Sequence, residues 1–149
     1  MTSFKKILVP TDFSAHAESA LSTALDLAKQ FDASVTLVHV FKPIALAFPD
    51  PSAVYNSALA ADAMNETAKT LNRMRDEASA KASTAVEAVL RTGSPTHEIV
   101  DFARSNGFDL IVMGTHGRTG LAHMLIGSVA ERVVRTAPCG VLIVRPSET

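Results

Sequence analysis

The chain has one cysteine, no tryptophan and one tyrosine among its 149 residues. Cys139 has no second cysteine to pair with inside the chain, which excludes an intrachain disulfide and a thiolate cluster for zinc. That usage suits a reducing compartment, and a cytoplasmic location is expected. An excess of charge of either sign is also missing: fourteen Lys and Arg stand against fifteen Asp and Glu, a formal net charge of -1. Nothing in that balance draws the chain toward nucleic acid or an anionic membrane, so neither is expected as a partner. Long hydrophobic runs are absent as well. The apolar run Ile7-Leu8-Val9 stops at Pro10, too short for the core of a signal peptide, and no stretch approaches the roughly 20 apolar residues that span a bilayer. Two phosphate-binding signatures are missing too. There is no G-x-G-x-x-G after the first apolar run and no G-x-x-x-x-G-K-[ST] anywhere, which excludes by motif a standard Rossmann dehydrogenase and a P-loop enzyme.

What is present is a core and an alternation. Hydrophobic residues make up 47% of the chain, enough to bury, and the length fits one domain over 1–149. Ile7-Leu8-Val9 reads as strand 1, buried on both faces. Ser14 can cap helix 1, where Leu21, Ala24, Leu25, Ala28 and Phe31 form one apolar stripe. The β-branched run Val35 to Val40 is strand 2. Pro43, Pro49 and Pro51 break the next stretch, whose Ile44, Leu46 and Phe48 are too apolar to stay fully solvated and call for cover. Residues from about Ser52 to Ala82 are strong helix formers and predict a long helix 2. Ala85 to Leu90 reads as strand 3, and Gly93-Ser94-Pro95 supplies a turn, an N-cap and a proline for helix 3, which turns Ile99, Val100 and Ala103 inward. Asn106-Gly107 ends that helix. Leu110 to Met113 is strand 4, Val129, Ala130, Val133 and Val134 form the core stripe of helix 4, and Val141 to Val144 is strand 5.

Strands alternating with helices predict right-handed crossovers and an open five-stranded parallel sheet with helices on both faces, a Rossmann-like α/β fold of order 3-2-1-4-5. Such sheets bind ligands at the carboxyl ends of their strands, where the strand order reverses. The segments that fall there are Pro10 to Ser14, Val40 to Phe41 and the loop from Gly114.

That loop, Gly114-Thr115-His116-Gly117-Arg118-Thr119-Gly120, with Gly127-Ser128 at the start of helix 4, suits a phosphate. Glycine lets a ligand approach the backbone, and helix N-terminal amides point at an anion. Arg118 could add charge to that contact or lie in solvent. A plain structural role is also open, since Ser128 and Glu131 are spaced as a capping box. Asp12 could likewise cap helix 1, or meet a magnesium-bound phosphate at the end of strand 1. His116 and His123 have no third ligand nearby and do not make a metal site. Cys139 is expected to pack as a small apolar residue beside strand 5.

Gly114-x-x-Gly117, nine residues, then Gly127-Ser128 resembles the G-2x-G-9x-G-[ST] signature of ATP-binding universal stress proteins. The resemblance runs the length of the chain. It includes Ile7-Leu8-Val9-Pro10-Thr11-Asp12, Leu37-Val38-His39-Val40, Gly93-Ser94-Pro95 and Pro138-Cys139-Gly140-Val141-Leu142-Ile143-Val144. It implies that Pro10, Thr11 and Asp12 line the nucleotide, with Asp12 near ribose or the metal-phosphate group, and that Val40 touches adenine. It further implies that Met113, Gly114, His116 and Gly117 border ribose and phosphates, and that Gly127, Ser128 and Val129 hold phosphate.

The cofactor so implied is ATP, with Mg2+ or Mn2+ carried on its phosphates. The function implied is a nucleotide-dependent stress-response or signalling module. Fast hydrolysis would need a positioned water, a base and charge stabilisation at the γ-phosphate, and no such set is evident, so at most slow turnover is expected. The alternatives are an adenine-nucleotide enzyme on a related sheet and a nucleotide-free interaction scaffold. Pro10-Thr11-Asp12-Phe13-Ser14 lacks the glycine-rich pyrophosphate loop expected of an adenylylating enzyme. A homodimer through strand 5 is also expected: Val141, Leu142, Ile143 and Val144 form an apolar edge with unpaired backbone groups, which a two-fold partner could cover.

Overall fold

The computed structural model describes residues 3–42, 53–116 and 126–146, with the backbone alone at 53–57. Gly117, Arg118 and His123, and the apolar residues Ile44, Leu46 and Phe48, lie outside the described residues. Among the described residues nine elements alternate: β1 (Lys6–Pro10), α1 (Ala15–Phe31), β2 (Ser34–Phe41), α2 (Ala53–Lys81), β3 (Val86–Thr92), α3 (Pro95–Ser105), β4 (Leu110–Gly114), α4 (Ser128–Thr136) and β5 (Gly140–Val144). The strands form one parallel sheet in the order β3-β2-β1-β4-β5, as the alternation predicts.

Continuous apolar runs become the central strands because both faces of those strands are covered. Successive side chains of a strand point to opposite faces. Ile7, Val9, Val35, Leu37 and Val112 therefore pack with Ala20, Leu21, Ala24 and Ala28 of α1 and Leu71 and Ala78 of α2. On the other face Leu8, Val38, Ile111 and Met113 pack with Ile99, Val100 and Ala103 of α3 and Ala130 and Val133 of α4. The stripes of helices 1 and 3 thus lie where their spacing puts them. Helix 4 differs: Val134, expected in the core, is 50% exposed. The nine residues of α4 reach the sheet along one narrow line through Ala130 and Val133, and Val134 falls beside that line.

Local signals set the helix ends. The Ser14 hydroxyl accepts the Ala17 amide at 3.2 Å, an N-cap, and Asp32 closes α1 in the left-handed region at φ 53°. Pro95 stands in the first turn of α3. Strand 3 lies one to two residues later than its apolar run indicates, because its ladder with β2 continues to the pair Phe41 and Thr92. Cys139 packs against the core cluster shared by α3 and α4. Burial pushes its thiol up from the ordinary value and the Asp109 carboxylate adds to the shift, so the thiol stays protonated and behaves as a small apolar group.

Candidate functional site

The strand order reverses between β1 and β4, and the carboxyl ends of these two strands stand side by side. Their register pairs Ile7 with Leu110 and Leu8 with Ile111, which brings Pro10 level with Met113. Pro10 also pairs with Val38, so Val40 lies two residues further along the neighbouring strand at the same edge of the sheet. The site is built from the chain that leaves β1, the first turn of α1, the end of β4 and the start of α4.

The β1 exit is held by its own side chains. The Thr11 amide donates to the Val38 carbonyl at 2.8 Å, continuing the ladder past the strand. Thr11 Oγ1 accepts the Phe13 amide at 3.1 Å, and Asp12 Oδ1 accepts the Ser14 amide at 3.0 Å. These two short loops let Phe13 adopt a positive φ of 67° and turn the chain into α1. His39 Nδ1 lies 2.7 Å from the Thr11 carbonyl oxygen, which can only accept, so Nδ1 carries the proton. The Phe13 ring stacks on that imidazole at a centroid distance of 4.6 Å. Asp12 therefore orders the loop at Ser14, while Ser14, not Asp12, supplies the cap of α1.

Two helix N-termini converge on the end of β4. At Gly114 an added Cβ would stand 2.7 Å from the His16 carbonyl oxygen, so only glycine lets the strand pass this close to the first turn of α1. At the other side the Gly127 amide donates to the Thr115 carbonyl at 2.6 Å, which pins α4 to the strand end. Gly127 is the N-cap of α4, and no side chain among the described residues caps that helix. The capping box read from Ser128 and Glu131 does not form: tying Gly127 to Thr115 places Ser128 inside the first turn, and the Glu131 amide donates to the Gly127 carbonyl at 3.0 Å. The first-turn amides of α4, from Ser128 and Val129, have no side-chain acceptor among the described residues.

Two of the five histidines meet at Thr115. Thr115 is 4% exposed, and its hydroxyl lies 3.3 Å from His16 Nδ1 and 3.2 Å from His116 Nδ1. The two rings meet edge to face at 5.5 Å. His116 Nε2 is buried with no hydrogen-bond partner among the described residues. Sequence reading selected His116 and passed over His16, His39 and Thr115, because an isolated histidine in a helix or strand carries no motif.

Of the residues selected from sequence, Pro10, Thr11, Asp12, Met113, Gly114, His116, Gly127, Ser128 and Val129 come together at the β1, β4 and α4 junction. Val40 stands at the same sheet edge, half-buried on β2.

Residues 3–145 match the family model described as universal stress protein family. The chain belongs to the universal stress protein family. It is 40% identical over 144 residues to universal stress protein MJ0531 of Methanocaldococcus jannaschii, covering 95% of this chain and 82% of that protein. Universal stress protein YxiE of Bacillus subtilis is 32% identical over 148 residues, covering 95% and 99%. Among solved structures, universal stress protein UspA from Lactobacillus plantarum superposes with a TM-score of 0.86 at 26% identity, covering 97% of this chain and 100% of that one. A universal stress protein solved in complex with cAMP gives a TM-score of 0.68 at 25% identity, covering 98% and 100%. The Archaeoglobus fulgidus universal stress protein solved in complex with dAMP gives 0.67 at 25%, covering 96% and 98%. Adenine nucleotides are thus ligands of two structural relatives.

Proposed function

We propose that this universal stress protein binds ATP at the junction of β1, β4 and α4 and acts as a nucleotide-dependent stress-response or signalling module, with at most slow hydrolysis. One observation carries the reading: the N-terminus of α4, without a side-chain cap among the described residues and tied through Gly127 to Thr115, offers amides to an anion at the reversal of strand order. The residues present fit a nucleotide. The orphaned His116 Nε2 supplies a further polar contact, Ser128 can add a hydroxyl, and Thr11, Val40 and Met113 give the adenosine end a largely apolar bed. Gly117 and Arg118 extend the same phosphate loop in the sequence motif. Magnesium or manganese would arrive on the phosphates, with Asp12 as the hard oxygen donor at the β1 end.

The relatives bound to cAMP and dAMP support the adenine-nucleotide class. The first test is mass spectrometry of the purified, denatured protein for co-purified nucleotide, followed by calorimetric titration with ATP, AMP and cAMP. Stoichiometric ATP and tighter binding of ATP than of AMP support the reading. Equal affinity for the three would remove the role given to the β- and γ-phosphates.

Asp12→Asn is expected to weaken magnesium-dependent ATP binding about tenfold, roughly 1.4 kcal/mol, while metal-free binding changes little. Asparagine keeps the Oδ1 acceptor for the Ser14 amide, so the loop stays formed. Equal loss with and without magnesium would count against a metal role for Asp12.

The reading includes a homodimer through β5 in the cytoplasm. β5 is the outer strand of the sheet, and Leu142 on it is 37% exposed. Leu142→Lys places a charge on that edge without disturbing the buried core, and is expected to shift a dimeric parent to monomer in light scattering at micromolar concentration. A parent already monomeric, or a variant still fully dimeric, would defeat this part of the proposal.

A further inference from the structure

The Thr115 hydroxyl is shared by two imidazoles, and it has one proton to give. Thr115 Oγ1 lies 3.3 Å from His16 Nδ1 and 3.2 Å from His116 Nδ1. If the hydroxyl donates to one ring nitrogen, the other must donate to the hydroxyl oxygen, because a neutral imidazole carries its proton on one nitrogen only. The two rings are thereby locked in opposite tautomers. When His16 Nδ1 accepts, His116 bears its proton on Nδ1 and presents a bare lone pair at Nε2. When His16 Nδ1 donates, the hydroxyl donates to His116 Nδ1, and His116 presents Nε2–H.

Burial decides between the two in the ligand-free protein. His116 Nε2 is buried with no partner among the described residues. Buried N–H groups without an acceptor are rarer in proteins than under-satisfied acceptors, so the arrangement with the lone pair at Nε2 is favoured. An anion at the start of α4 reverses that preference, since a phosphoryl oxygen repels a lone pair and accepts an N–H.

We propose that His16 is a positioning residue: through Thr115 it sets the tautomer of His116, so that Nε2 is an acceptor in the free protein and becomes a neutral donor when a phosphoryl oxygen binds. The change conserves protons. The His116 Nδ1 proton passes to Thr115 Oγ1, the Thr115 proton passes to His16 Nδ1, His16 releases its Nε2 proton to water, and His116 Nε2 takes one from water that enters with the ligand. No net charge is added to the site, and the helix N-terminus keeps its preference for an anion. The inference rests on the nucleotide-binding reading for its ligand, whereas the coupling between the rings exists in the free chain.

The decisive variant is His16→Phe, which keeps an aromatic ring at the 5.5 Å edge-to-face contact and removes both nitrogens. Nitrogen-15 NMR of the histidine side chains reads the tautomers directly. In the parent without ligand, His116 is expected as Nδ1–H, changing to Nε2–H on addition of ATP. In the free His16→Phe variant the hydroxyl has only His116 to serve, and the tautomer is expected to shift toward Nε2–H. Thr115→Val, which removes the hydroxyl but keeps the carbonyl that holds Gly127, is expected to uncouple the rings. His16→Asn, with a donor and an acceptor at the distance of Nδ1, is expected to restore the parent tautomer.

Calorimetry supplies the second readout. ATP affinity of His16→Phe is expected to rise, by up to about tenfold, because the variant already presents the Nε2–H that the parent has to form on binding, with adenosine affinity unchanged. A His116 tautomer identical in parent, His16→Phe and Thr115→Val overturns the proposal. So does an ATP-binding parent whose affinity is unmoved by His16→Phe. If the parent binds no adenine nucleotide, the functional reading fails, and the ligand-free tautomers still decide whether His16 governs His116.

Discussion

Gly114→Ala is expected to lower stability by about 1–3 kcal/mol, the range for forcing a methyl group into filled space, and to remove nucleotide binding with it. The added Cβ would lie 2.7 Å from the His16 carbonyl oxygen and 2.8 Å from both its carbonyl carbon and its Cβ. These atoms belong to the backbone and the root of a side chain in the first turn of α1. They cannot swing aside as the tip of a lysine could. Either α1 withdraws from the sheet, which loosens Ala17 and Ala20 from the core, or β4 bends away from β1, which disturbs the fully buried Ile111 and Val112. For a chain of this size each 1 kcal/mol corresponds to about 2–4 °C in the unfolding midpoint, so thermal unfolding followed by circular dichroism resolves the effect. The same shift displaces the β4 end from α4, so ATP affinity falls even in the fraction that stays folded. An unchanged midpoint would mean that the close approach of α1 to β4 relaxes without cost, and the packing account of Gly114 would be wrong.

Much of this arrangement is legible in the sequence, for a reason that can be stated residue by residue. Ile7-Leu8-Val9 and Leu110 to Met113 are apolar at consecutive positions because both faces of the central strands are buried, Val35, Leu37 and Val38 flank a buried Thr36 for the same reason, and a short apolar run between turn residues has few other uses. Ile99, Val100 and Ala103 announce the buried side of α3 through helical spacing. What was not legible depends on partners distant in sequence. The extension of β3 to Thr92 comes from backbone pairing with Phe41, to which side-chain pattern is blind. Val134 fits the helical period of α4 but misses the sheet, because the contact is narrower than the period implies. Ser128 has the composition of an N-cap, yet the tie between Gly127 and Thr115 starts the helix one residue earlier than a capping box would.

The candidate site divides along the same line. Glycine spacing marked Gly114 and Gly127, and the strand ends marked Pro10, Thr11, Asp12 and Val40. The histidine pair around Thr115 arose only in three dimensions, with His16 and Thr115 separated by 99 positions in the chain. A hydrogen-bonded cluster of that kind has no local signature, because each member is an ordinary residue within its own element.

Gly127→Val is expected to leave a folded protein that has lost ATP binding by about a hundredfold or more, roughly 2.8 kcal/mol. The two glycines fail for different reasons. Gly127 has φ -70° and ψ 160°, a conformation open to any residue, so substitution brings no backbone strain. Its added Cβ would lie 3.2 Å from the Thr115 carbonyl oxygen and 3.4 Å from His116 Cα, a crowding of a few tenths of an ångström rather than a collision. Valine at an N-cap is also less favourable than glycine, but α4 has Ala130 and Val133 buried to hold it in place, so the loss in stability stays small. Binding is where the damage falls. The branched Cγ atoms crowd the first turn of α4, where phosphate is proposed to meet the backbone amides, and they also push against His116, which is proposed to touch the same ligand. Gly127→Ala, with the Cβ alone, is expected to fall between parent and valine variant. Titration calorimetry with ATP and with adenosine, beside circular dichroism of each variant, separates the possibilities. A graded loss for ATP with little change for adenosine assigns the residue to the phosphate end. Full ATP affinity in a folded Gly127→Val protein would show that the phosphates do not lie against the start of α4.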